Sequence, residues 1–431
     1  MSLDRARMTM ATVVMVLLAA SPSAAQPPAP ADIDALLARA GDALTAGRLD
    51  EAESVLDRAL ALAPDHPEAQ LQLGLVYLFT GRVATARFQF GQVADARPRD
   101  VQVMRRIGAA YIRASRLADA EPYLARALTA APDDPEVNLL LGQVYSGTSR
   151  QAQAIERLLN VTRVDPTLPH ARYFLGIAYL LSGKRAEGIA ELERAVALAP
   201  SQAGFRFYLG VAYLEARRDA AAATELERVV ALTPDDIEAR VNLAWAQINA
   251  GRARDAAASA ADVVRRQPKH AVGWFLLGEA TRRQGDDDRA MPHYERAVAI
   301  EPGMVDALFA LGTMHYRRND VDASVDWFGR LLAVDSSHVG AHYQMGKIAV
   351  ERGRLDEAIA HLEACTRLAP DNKGAHYQLS RAYRMQHEDE KAERELAAFR
   401  ALGPESESDH DPREQRLERI GVRPGGPSPR R

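Results

Sequence analysis

Two histidines four residues apart, His338 and His342, have the spacing that sets two imidazoles on one helix face, the starting geometry of a zinc site and of metal-assisted hydrolysis. His338, however, falls in a turn between predicted helices. His342 recurs as His376 in the matching segments AHYQMG and AHYQLS, so duplication of a sequence unit accounts for that pair more simply than ligation does. Asp286, Asp287 and Asp288 have the composition of a cation site, yet they precede a predicted helix, where Asp caps free N–H groups and meets the positive end of the helix dipole. Cys365 is the sole cysteine, which excludes an intramolecular disulfide, a cysteine-based zinc cluster and an iron–sulfur centre. No glycine loop shaped for phosphate and no Ser/His/Asp arrangement stands out. These residues predict no cofactor and no enzyme; a metal-dependent hydrolase built on His338 and His342 is the competing reading.

The elements that carry these residues are announced by composition. Of 431 residues, 47% are hydrophobic and 6% aromatic, with Ala, Leu and Arg abundant, which favours long helices over β-sandwiches. The 54 basic and 58 acidic residues give a net charge of −4. A protein that coats nucleic acid needs an excess of cations to neutralise phosphates, so no nucleic-acid partner is expected. Length alone, at about 100–200 residues per domain, suggests several globular domains.

Residues 1–25 have the pattern of a secretory signal peptide: Arg5 and Arg7, an apolar run over 8–20, then small residues that place cleavage after Ala25. The run falls short of the roughly 20 residues that span a bilayer. An uncleaved anchor is the alternative. Residues 26–32, with Pro27, Pro28 and Pro30, read as a spacer. The expected location is the periplasm or outside the cell, with membrane contact only indirect, through partners or an uncleaved signal segment. A mature chain without disulfides fits the periplasm, which permits them without requiring them.

A 34-residue period replaces the several-domain reading with one array. Gly74, Gly108, Gly142, Gly176 and Gly210 fall at that spacing, Ala244 takes the next place, and Gly278, Gly312 and Gly346 follow. Proline recurs from Pro64 to Pro302, and a third column runs Ala52, Ala86, Ala120, Ala154, Gly188, Ala222 and onward in small residues. A register starting at Ile33 gives eleven units over 33–406, followed by a charged tail over 407–431 in which Leu417, Ile420 and Val422 suit a short capping helix. Each unit reads as two helices. In one unit Leu73, Gly74, Tyr77 and Leu78 line a first helix, Gly81 breaks it, and Ala86, Phe90 and Val93 line a second. A helical glycine costs about 1 kcal/mol relative to Ala, so the column implies close helix approach, with the glycines expected against the Ala column of the second helix.

These columns resemble the tetratricopeptide repeat, whose Leu-Gly, Tyr, Ala, large apolar, Ala and Pro positions are met in one unit by Leu175, Gly176, Tyr179, Gly188, Leu192, Ala195 and Pro200. A tryptophan stands at the family's Trp-like position only at Trp274. The resemblance implies an all-α, right-handed superhelical solenoid of about eleven helix-turn-helix repeats whose first helices line a concave groove. It also implies a non-enzymatic scaffold that binds protein or peptide segments there. Family analogy adds an accessory subunit of an envelope polysaccharide or pilus export complex as the alternative.

From the family's geometry, the groove is lined by Tyr173, Ile177 and Leu180, then Phe207, Val211 and Leu214, then Trp245. Phe275 and Arg282, Phe309 and Tyr316, Tyr343 and Lys347, and Tyr377, Arg381 and Arg384 continue it. The surface is expected to pass from apolar to aromatic and basic, with aromatic anchors and arginine forks for acidic groups. The competing expectation is that the aromatics pack between neighbouring first helices and the arginines are solvated. The two-lysine, asparagine and arginine carboxylate clamp of chaperone-binding repeats does not carry over, because Phe207 and Val211 stand where it needs Lys and Asn.

Overall fold

The computed structural model describes residues 30–402, and every regular element among them is an α-helix. Twenty-two helices form eleven pairs, as the 34-residue columns predict. The chain divides into two compact units, one ending at Pro166 and the other starting at Thr167. The first unit pairs α1 (Pro30–Thr45) with α2 (Leu49–Leu62), α3 (Pro67–Phe79) with α4 (Val83–Ala96), α5 (Val101–Arg113) with α6 (Leu117–Ala130), and α7 (Pro135–Gly147) with α8 (Gln151–Val164). The second unit opens with α9 (Pro169–Leu181) and α10 (Arg185–Leu198), α11 (Ala203–Glu215) and α12 (Asp219–Leu232), then α13 (Ile237–Asn249) and α14 (Ala253–Arg266). It continues with α15 (Ala271–Arg283) and α16 (Asp287–Ile300), α17 (Val305–Arg317) and α18 (Val321–Val334), α19 (Val339–Glu351) and α20 (Leu355–Leu368), and α21 (Lys373–Met385) and α22 (Asp389–Ala401). Helix α1 starts at Pro30, three residues ahead of the register that begins at Ile33. The signal segment 1–25 and the tail 407–431 lie outside the described residues.

Most first helices start on side-chain caps that satisfy free N–H groups: Asp100 accepts from Val103, Asp134 from Glu136 and Val137, and Asp236 from Ala239, whereas Leu168, Gln202 and Met304 supply none. They end where the chain turns into the left-handed region, at Gly81 (φ 80°) and at the matching non-glycine positions Ser115 (φ 58°) and Arg217 (φ 56°). Second helices mostly start differently, Asp286 and Asp320 being the capping exceptions. Arg82, Arg150 and Arg218 stand at their N-caps without capping them; each guanidinium lies 4.3–4.5 Å over Tyr77, Tyr145 or Tyr213 and reaches Glu53, Glu121 or Glu193 of the preceding pair. The hydrogen bonds from Arg82 and Arg150 hold the Glu53 and Glu121 carboxyls below the ordinary carboxylate range.

Proline-marked turns leave a carbonyl in need of a donor, and one column of first-helix residues supplies it from six positions on. Gln70 donates to Pro64, Asn138 to Pro132, Arg206 to Pro200, Trp274 to Pro268 and His376 to Pro370, over 2.7–3.0 Å. This is the Trp-like position. Side chains of five kinds share one property, an N–H that reaches the same carbonyl.

The glycine column packs against large side chains as well as against the small column. A Cβ on Gly74 would stand 2.5 Å from the Phe90 ring, and one on Gly142 would stand 2.5 Å from Leu158 Cγ. Gly108 and Gly346 meet Leu124 and Leu362 in the same way. The partner is therefore the large residue four places beyond the Ala column, because a bulky side chain fills the space that the missing Cβ leaves. Small positions face each other as well: added Cβ atoms on Gly176 and Gly188 each stand 2.9 Å from the other's carbonyl oxygen, one on Gly346 stands 3.4 Å from the Ala358 carbonyl, and Ser324 donates to the Gly312 carbonyl (2.8 Å). One pair inverts the arrangement: Ala244 replaces Gly, and Ala260 replaces the large residue, both fully buried.

Gly142→Ala is expected to destabilise the protein by up to about 2 kcal/mol despite the gain of about 1 kcal/mol in helix propensity, since overpacking costs roughly 1–3 kcal/mol. In urea unfolding, Gly142→Ala combined with Leu158→Ala should lose less than the sum of the two single variants, the pairing that Ala244 and Ala260 already embody. Strict additivity would show that the two side chains do not share that space.

Candidate partner-binding face of the second unit

All sixteen residues assigned to the groove lie in the second unit. There α9 touches α11, α11 touches α13, α13 touches α15, and α19 touches α21, so first helices of consecutive pairs stand side by side. Three of the expected lining residues are withdrawn from the surface. Val211, Trp245 and Phe275 are buried, with Trp245 against Phe275 (ring centroids 6.0 Å apart) and Phe275 against Tyr294 (5.7 Å). Rings of that size gain more by filling the space between consecutive first helices than by facing water. Leu180 turns inward as well, its Cγ 2.7 Å from the place of a Cβ on Gly188, which explains glycine there.

A half-buried aromatic patch remains at the start of the unit. Tyr173 stacks on Phe205 (4.7 Å) and meets Phe174 and Tyr208 edge-on (5.0 and 5.6 Å), and Phe207 meets Tyr208 at 5.6 Å. Burial raises the Tyr173 phenol far above its ordinary value. Ile177, Phe207 and Leu214 pack at the edge of the same cluster while staying partly open. Phe205 and Tyr208 were not among the sequence candidates. Phe205 carried a legible signal: it is the one aromatic in a column otherwise filled by residues such as Ala171, Ala239, Gly273 and Ala307.

Further along, each aromatic ring covers the next first helix. Phe309 comes within 3.0 Å of the Cβ position on Gly340, and Tyr343 within 3.1 Å of that on Gly374. Tyr377, equivalent to them in the last described pair, is 43% exposed and touches Phe399. The basic residues are engaged within the fold. Arg282 donates to Glu279, Lys347 lies 4.8 Å over the Tyr316 ring, and Tyr316 donates to Glu351 (2.8 Å). Burial and that hydrogen bond push the Tyr316 phenol up to about 12. Arg384 donates to Glu393, and Arg381 to Gln378. The expected basic stretch is thus largely engaged within the fold, with Lys347 resting on a ring and Arg381 on an amide rather than on a carboxylate.

The histidines and aspartates take structural posts. His338 caps α19 by accepting the Ala341 N–H through Nδ1 (3.0 Å), which turns it away from His342. His342 donates Nε2–H to the Ser336 carbonyl (3.1 Å), leaving Nδ1 to accept from His361 Nδ1 (3.0 Å). Asp286 caps α16 through the Arg289 N–H, while Asp287 and Asp288 pair with Arg317 and Arg318. Among the described residues no group of three His, Cys, Asp or Glu side chains is placed to hold a metal. Cys365 is fully buried, and burial pushes its thiol up to about 12, where thiolate is scarce at neutral pH.

With this geometry stand the comparisons with known proteins. Profiles described as tetratricopeptide repeat match residues 43–109, 111–178 and 349–409, and 175–237 and 241–305. The chain is built of tetratricopeptide repeats. A profile described as anaphase-promoting complex, cyclosome, subunit 3 matches residues 283–365. Similar solved structures include YrrB, described as a tetratricopeptide-repeat protein with an unusual peptide-binding site, at 21% identity over 43% of this chain and 96% of that one, TM-score 0.41. The Cut9–Hcn1 heterotetramer of the anaphase-promoting complex is similar at 14% identity over 90% of this chain and 96% of that one, TM-score 0.44. The C-terminal part of a repeat protein from Cytophaga hutchinsonii matches at 16% identity over 55% and 97%, TM-score 0.46. No curated protein matches the chain. Tetratricopeptide folds bind protein or peptide partners and generally act as non-catalytic scaffolds.

Burial lowers the pKa of His270, His293 and His361 from the ordinary 6.5, helped by Arg289 at His293 and by His342 at His361. The folded form then binds protons less readily than the unfolded chain, so this contribution is present above the ordinary histidine range and lost as pH falls through it. The urea midpoint is expected to drop between about pH 7.5 and about pH 5.5. His361→Gln should flatten the drop; an unchanged slope would remove His361 from the cause.

Proposed function

We propose that this protein is a non-enzymatic interaction scaffold that holds a protein or peptide segment across the first helices of its second unit, and that it works after export to the periplasm or cell envelope. The observation that carries the reading is the partly open aromatic patch of Tyr173, Phe207 and Tyr208, on helices already braced by neighbours on the other side. A rigid surface with aromatic anchors loses little entropy when a partner docks. Nucleic acid is disfavoured as the partner by the net charge of −4 and by arginines engaged with carboxylates of the same chain. The export part rests on residues 1–25, and no described helix is long and apolar enough to cross a membrane.

A photo-crosslinking amino acid placed at position 207 in the native host should capture a discrete partner that the same residue at position 198, at the far end of a second helix, does not. Equal capture from both positions would sink the groove reading. Fractionation should recover the mature chain with periplasmic markers; recovery in the cytoplasm would remove the export reading and leave the groove reading standing.

A further inference from the structure

We infer that the segment bound on this face is cationic and apolar, with two basic side chains received by Glu215 and Glu238 on either side of the aromatic patch. This rests on the partner-binding reading above and names the chemistry of the partner. Glu215 is the last residue of α11 and Glu238 the second of α13, so the two carboxylates sit at opposite edges of adjacent first helices. Among the described residues no ion pair or hydrogen bond engages either side chain: Arg185 acts on Glu215 through space without contact, and Asp236 beside Glu238 is itself acidic. Glu215 is half-buried and Glu238 exposed; desolvation raises both carboxyls above their ordinary value, and Asp236 adds to the rise at Glu238.

The contrast with the rest of the face decides the sign. Arg282, Arg317 and Arg384 already contact Glu279, Asp287 and Glu393, and Lys347 lies on the Tyr316 ring, so an acidic partner would have to break existing contacts at each of these and would find only Arg381, bonded to Gln378, without an acidic neighbour. A basic partner meets carboxylates that have none. Between the two edges, Phe207 and Tyr208 offer partly open rings to the apolar residues of such a segment. At 1.5 Å per residue along a thirteen-residue helix, and with adjacent axes about 10 Å apart, the carboxylates stand roughly 20 Å from each other. An extended chain covers that span in about six residues.

The test uses the full-length protein and a fluorescein-labelled peptide in which Lys-Leu-Ser-Phe-Ser-Leu-Lys places two lysines six residues apart, with a matched peptide carrying Glu for Lys. Fluorescence anisotropy should show the lysine peptide binding at least about tenfold more tightly than the glutamate peptide. Glu215→Gln with Glu238→Gln should erase that preference, and Glu215→Lys with Glu238→Lys should reverse it, while thermal unfolding confirms that each variant is folded. Two results overturn the inference differently. If both peptides bind alike and Phe207→Ala weakens both, the face binds segments without regard to charge and only the cationic assignment falls. If neither peptide binds, or Phe207→Ala changes nothing, the binding face itself falls and the assignment with it.

Discussion

Everything in this fold depends on the contact between a first-helix position with no Cβ and a large side chain from the second helix of the same pair. Gly74 with Phe90, Gly142 with Leu158 and Gly312 with Phe328 leave no room for a methyl group. Close approach has two consequences. It fixes the angle and depth at which the two helices meet, and it lets residues on either side of the contact reach the neighbouring pair. The repeat tolerates variation elsewhere because this contact is kept, and where it is changed, at Ala244 and Ala260, one partner grows as the other shrinks. Apolar burial in a solenoid is local, so each such contact matters chiefly to its own pair and its neighbours.

Polar columns lock the stacked pairs in register. Where the column supplies a donor, from Gln70 to His376, it ties the first helix to the turn before it, satisfying a carbonyl that water would otherwise have to reach; Met104 and Leu308 break the series. Arginines at the start of second helices join a tyrosine of their own pair to a carboxylate of the preceding one. Such pairs at half-exposed sites each contribute little, about 0–1 kcal/mol. Their number matters more for orientation than for stability, since they favour one way of stacking over slipped alternatives.

The sequence made the periodicity, the helix pairs and the end of each helix legible, because Gly, Ala and Pro mark backbone requirements that only those residues meet easily. It was poorer on partners across the pair. The small columns do meet, as at Gly176 with Gly188 and Gly346 with Ala358, but the large side chain that the missing Cβ admits, such as Phe90 or Leu158, comes closer still. The donor column was invisible as a pattern, since Gln, Asn, Arg, Trp and His share no hydrophobicity or size. His342 and His361, nineteen residues apart, meet for the same reason that Arg172 meets Glu191 and His376 meets Glu395. On the candidate face, residue type indicated aromatic character correctly at Tyr173 and Phe207. It gave no means of separating the rings buried between helices, such as Trp245 and Phe275, from those left partly open.

Charge shows why the face has to be read from contacts. A count along the first helices of the second unit finds arginine and lysine at 172, 206, 240, 282, 283, 317, 347, 373, 381 and 384 and suggests a basic surface. What a partner meets is the residue of that count after internal pairing, because a cation already held by a carboxylate has given up much of its field and would have to lose a contact to make a new one. In a repeat whose register is kept by arginine, positive charge is drawn into the fold's own joints. Carboxylates that stand outside the joints, like Glu215 and Glu238, are then the groups left to distinguish one partner from another.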